Sequence, residues 1–164
     1  MIARIAVGLD RAVGICIAAA QWLALPLVLL LFLQWPLRDL VRAYSREAND
    51  LGQIAFALYV AVSVTAATRA GTHLAADTLA QRYSPRVRHW LKKFGSIVSL
   101  LPWALFVLIA SRNIVLSSLG ELERFPDTNN PAYFVIKLAL WLMSVLLLVQ
   151  LAVDLARPLP QDAR

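Results

Sequence analysis

The sequence predicts an all-α integral membrane protein, with four transmembrane helices and an amphipathic interfacial helix between the second and third. Three observations predict it. Hydrophobic residues make up 60% of the 164-residue chain and charged residues only 16%, where globular chains carry roughly 45–50% and 25%. Four apolar runs approach or exceed the roughly 18–20 residues that cross about 30 Å of hydrocarbon as a helix. The basic residues behind the net charge of +6 gather beside those runs. That pattern fits a protein touching anionic headgroups and not one that binds nucleic acid. Residues 1–164 read as one membrane domain.

The first span covers about 12–35, AVGICIAAAQWLALPLVLLLFLQW. Arg4 and Arg11 give it a basic start, and Ala18-Ala19-Ala20 resembles a signal-peptide cleavage site. The strongest apolar block, Leu23 to Leu33, follows those alanines. A signal peptide would be cut after its apolar region, so the run reads as an uncleaved anchor. Its leucine content suits a helix with much lipid exposure. The second span, about 51–68, is rich in Ala, Ser and Thr. Small residues let helix backbones approach closely, so this span is expected at the bundle centre. The third covers about 94–116 and the fourth about 132–156. Pro26 and Pro102 sit in LALPLVL and SLLPWAL; with no polar ligands around them they read as simple kinks.

Residues 72–93 form the expected membrane-surface arm. Ser84-Pro85 has the form of a helix start. Around it, Tyr83, Val87, Trp90, Leu91 and Phe94 share one helix face, and Arg86, Arg88, His89, Lys92 and Lys93 take much of the rest. An aromatic stripe opposite a basic face belongs in the interface plane. Ten Lys and Arg lie on the side of this arm and both termini, and five on the other, with Lys137 inside span four. The expected orientation has both termini cytoplasmic. A C-terminal reporter active only outside the cytoplasm would overturn it.

Little here suggests an enzyme. His73 and Asp77, four apart, would share a helix face, but two ligands are too few for zinc. His89 has no acidic or Cys companion nearby, and the single cysteine, Cys16, excludes an intrachain disulfide and CxxC metal sites. No Ser/His/Asp arrangement, phosphate-cradling Gly loop or facing histidine pair for haem is present. No catalytic residue, cofactor or metal is expected. Lys137 is expected to snorkel toward Glu121 or Glu123, or else to meet a partner chain. Four spans with no pathway residues make a structural partner of a larger membrane protein. The competing readings are a self-sufficient, homo-oligomeric small transporter or channel, and a membrane enzyme or redox subunit using His73 and His89.

The succession of polar residues resembles a known family. RAGTHLAAD, with Arg69, His73 and Asp77, follows span two; Glu47 in SREAND precedes it; Glu121, Pro131, Lys137 and Gln150 run in order through span four. In this order and at this length the chain resembles the DctQ-like small membrane subunit of tripartite ATP-independent periplasmic (TRAP) transporters. Tyr44-Ser45 stands where that family often has Trp, and FPDTNNPAYF where it usually has a Gly-Leu-Pro turn. The resemblance implies a multi-pass protein of the bacterial inner membrane. It also implies two partners: a large sodium-coupled membrane subunit, forming a heterodimer, and a periplasmic binding protein that delivers an organic acid, usually a carboxylate. The small subunit would be a fixed scaffold for the large one. Spans two and four, with Lys137, are the expected contact with it.

Overall fold

The computed structural model describes residues 2–40, 45–70 and 83–156. Five helices account for most of them: α1 Ile2–Asp39, α2 Arg46–Ala70, α3 Pro85–Ala110, α4 Arg112–Gly120 and α5 Tyr133–Ala156. Among the described residues there is no strand. Four of the helices are long and apolar enough to cross a membrane.

Local chemistry sets the helix ends. Ser45 caps α2: its Oγ accepts the Ala48 N–H at 3.1 Å and donates to Glu47 at 3.0 Å. Glu47 lies in the first turn, where a carboxylate complements the helix dipole. At α3, Pro85 takes the first helical position behind Ser84, whose hydroxyl makes no capping bond; the fixed φ of proline supplies the start there.

α3 begins nine residues before the span expected from Phe94, so residues 85–93 are the first turns of that same helix and not a helix apart from it. The remainder of the arm, residues 72–82, lies outside the described residues. Within the expected third span the helix is interrupted at Ser111, which divides α3 from α4. The Ser111 hydroxyl donates to the Val107 carbonyl at 2.6 Å and accepts the Trp141 indole N–H at 2.9 Å. A serine bonded back to the preceding turn loosens a helix, and Trp141 pins the loosened point to α5. Pro26, Pro36 and Pro102 all lie inside helices.

The centre of the bundle is α5, which packs against α1, α2, α3 and α4. This corrects the expectation that the small-residue span, α2, would hold the centre. Small residues permit close approach, but connectivity decides who is surrounded. α2 still packs on both α1 and α5. Buried Val13 and Ala20 of α1, Val62 of α2 and Leu146 of α5 form one cluster, flanked by Ile17 and Val149. Of the α5 span, 28% is buried, against 11% for α1 and 6% for α3. The outward apolar surface is therefore concentrated on α1 and α3, including Trp22, Phe32, Trp90 and Phe106.

Candidate functional site

Polar groups collect at the two ends of the bundle. At one end α2 begins, α5 begins and the 121–132 connection crosses between them. Asp50, in the first turns of α2, is buried. Its carboxylate accepts the Thr128 hydroxyl and the Asn130 amide, the latter at 3.0 Å. The connection is folded on itself by the Phe125 N–H to Asn130 carbonyl and Asn129 N–H to Phe125 carbonyl bonds, both 2.9 Å. Phe125 is buried, edge-on to Tyr133 at 5.1 Å between ring centres. Asp50, Phe125, Thr128 and Tyr133 line an open cavity of about 460 Å³ with Arg46 and Asp127.

Beside it, Lys137 pairs with Glu123 and not with Glu121. Glu123 also accepts the Ser118 hydroxyl, and the Lys137 ammonium sits 5.4 Å from the Tyr133 ring centre. Exposed Glu121 accepts the Ser117 hydroxyl at 3.1 Å. The Lys137 ammonium, and then the Ser118 hydroxyl, hold the Glu123 carboxyl below its ordinary value of 4.5. A carboxyl lowered by folding is protonated first in the unfolded chain as pH falls. Its stabilising effect is complete above 4.5 and is lost as pH drops further, through the folded value. Glu123→Gln removes that titration. In detergent, the gap in thermal midpoint between the native chain and Glu123→Gln is expected to be constant above pH 5, roughly, and to close below it. A gap that widened on acidification would refute the pairing.

At the opposite end, Arg69 closes α2 onto α1. Its guanidinium donates to both the carbonyl and the carboxylate of Asp10, each at 3.0 Å. The planar fork suits such a double contact. It passes over Gly14, where an added Cβ would stand 3.4 Å from Nη1. Gln150 is fully buried in α5 and donates to Asp154 at 3.0 Å. Lys93 donates to the Leu155 carbonyl at 3.1 Å, joining the start of α3 to the end of α5. Tyr83, Arg86, Arg88 and Trp90 are exposed around the same end. Lys92 lies in α3, with its side chain outside what is described, and His73 and Asp77 fall outside the described residues altogether.

The expected polar residues thus separate. Glu47, Glu121 and Lys137 are at the loop end; Arg69, Gln150 and the arm residues are at the other. Sequence reasoning missed Asp10, Asp50, Thr128, Asn130 and the role of Ser118. An acid just ahead of an apolar run is the one signal Asp50 gave. Among the described residues no group of three His, Cys, Asp or Glu could hold a metal ion.

The model of the DctQ component of tripartite ATP-independent periplasmic transporters matches residues 27–161. The chain belongs to this family. The match starts inside α1, next to Pro26, and takes in α2 to α5. Comparisons with curated proteins and with solved structures find no match. The chain is therefore the small component of a TRAP transporter, a multi-pass membrane protein of a family of transporter parts and not of enzymes. Transporters of this kind also have a large membrane subunit and a binding protein.

Proposed function

We propose that this small subunit scaffolds the large, sodium-coupled subunit during uptake of an organic acid delivered by a periplasmic binding protein. The observation that carries the reading is where the charge goes. Asp10, Arg69 and Asp154 lie at one end of the bundle, Asp50, Glu123 and Lys137 at the other, and all are engaged within the chain. The middle of the bundle is packed with groups such as Val13, Val62 and Leu147. Polar Ser144 and Thr65, also buried there, bond back to their own helices. A substrate path would need polar groups turned toward a lumen; this interior suits a fixed body.

The proposed setting is the inner membrane with both termini cytoplasmic, which puts Arg86, Arg88, Lys92 and Lys93 at the anionic leaflet. Tyr83 and Trp90 would seat among the headgroups. The decisive experiment is reconstitution into sealed vesicles with an imposed sodium gradient. The chain alone is expected to accumulate no organic acid. The large subunit with binding protein is expected to need this chain for assembly and uptake. Sodium-driven accumulation by the chain alone would overturn the scaffold and favour the homo-oligomeric transporter.

A further inference from the structure

Between the ends of α2 and α5 and the first turns of α3 lies a cavity of about 150 Å³. Its wall includes Arg69 of α2, His89 and Lys93 of α3, and Leu151, Asp154 and Leu155 of α5. His89 and Lys93 are four apart and so share one face of α3. Arg69 is engaged by Asp10, Asp154 takes the Gln150 amide, and Lys93 reaches the Leu155 carbonyl. His89 differs: its Nε2 is buried and has no hydrogen-bond partner among the described residues. A buried polar nitrogen without a partner is costly, and in a membrane protein the cost points to something that binds there.

We infer that this cavity holds the phosphate of an anionic phospholipid, with His89 Nε2 as the donor that reads it. Three features converge on that ligand. The cavity sits within about two turns of Ala70 and Ala156, where α2 and α5 end. That is the depth at which spanning helices meet the headgroups. Arg69 and Lys93 share the wall with His89, and a phosphate oxygen is a strong acceptor for such donors. Leu151 and Leu155 form the apolar part of the wall, which suits the glycerol and first acyl carbons and does nothing for free phosphate. With Asp154 of the wall bonded to Gln150, and Asp10 to Arg69, an added positive headgroup would lie near Arg69 and Lys93, so a choline head is disfavoured. The inference depends on the helices spanning a membrane, and not on the transport role.

The test uses the full chain in detergent micelles. Imidazole nitrogen resonances, with His73→Gln separating the two histidines, are followed while short-chain phosphatidylglycerol, phosphatidylcholine or inorganic phosphate is added. The His89 signal is expected to shift and saturate with phosphatidylglycerol, and to respond weakly to the other two. By native mass spectrometry, His89→Gln and Lys93→Gln are each expected to weaken phosphatidylglycerol retention about tenfold. Arg112→Gln, which removes an exposed charge at the other end, is expected to leave retention unchanged. A silent His89 signal would overturn the site, even if both variants failed to fold. An equal response to inorganic phosphate would overturn the lipid as its source. An equal response to phosphatidylcholine would overturn the selection for an anionic head.

Discussion

Asp50→Ala is expected to destabilise the bundle by about 3 kcal/mol, the combined loss of two hydrogen bonds to a charged acceptor. Asp50 is only 6% exposed, and both donors, Thr128 and Asn130, come from a connection almost eighty residues further along the chain. The carboxylate is therefore the point at which that connection is fastened to α2. The connection stores strain: Leu122, Asn129 and Ala132 have φ of 48°, 56° and 86°. Asparagine adopts such angles readily, whereas leucine and alanine do so at a cost. Strained backbone persists only where its surroundings hold it, and without Asp50 the connection loses its fastening to α2 and keeps Glu123 on Ser118 and Lys137, Phe125 against Tyr133, and the internal turn. The open cavity, which Thr128 lines, lets water reach the stranded hydroxyl. This argues for a loss near 3 kcal/mol, at the low end of the summed range. Asp50→Asn keeps the shape, and its amide oxygen in place of Oδ2 accepts both donors, so only the charge of the acceptor is lost and the expected cost is about half as much. Chemical unfolding of the purified chain, with limited proteolysis of residues 121–132, reads both effects. Removing Thr128 and Asn130 side chains in the Asp50→Ala background should add little, because members of one network are not additive. Full additivity, or unchanged cleavage of the connection, would show that Asp50 does not fasten it.

The spans were legible because the bilayer imposes a length: an apolar run of about twenty residues has few other uses. Lys137 meeting a loop carboxylate was legible too, since an ammonium one turn inside hydrocarbon has to reach outward. Other features depend on tertiary placement. Nothing in LDR tells that Asp10 receives Arg69 from 59 residues away; in sequence it is one acid among basic residues. Asp50 reads like any acid in the first turns of a helix, and its burial follows from where the 121–132 connection folds back. The alanines of α2 suggested the centre of the bundle. Yet α5, with larger apolar side chains at most positions, is the helix the others surround, because packing order follows from how four helices close up and not from one helix's composition. Ser111 shows the same limit: a serine inside an apolar run is neutral until Trp141 meets it.

Leu147→Ala is expected to cost about 2 kcal/mol, while Leu142→Ala, one and a half turns away on the same helix, changes stability by less than about 0.5 kcal/mol. Leu147 is 1% exposed and Leu142 is 37% exposed. In water both leucines would favour folding by leaving solvent. In hydrocarbon the surroundings of an outward leucine are as apolar as a protein core, so moving it from lipid into protein contributes little. What remains at Leu147 is contact: each packed methyl loses its dispersion partners when the side chain is cut back, and lipid cannot fill the void. Without the water-to-core transfer contribution, the loss sits at the low end of the range for buried leucines, near 2 kcal/mol. The effect should be felt throughout the chain, because α5 is the helix that every other one touches. Unfolding of the isolated chain in bicelles measures the pair under one condition, with no partner to cover the outer face. Equal costs at the two positions would mean that the outer face of α5 is not turned to lipid. A silent Leu147→Ala would mean that α5 does not hold the bundle together.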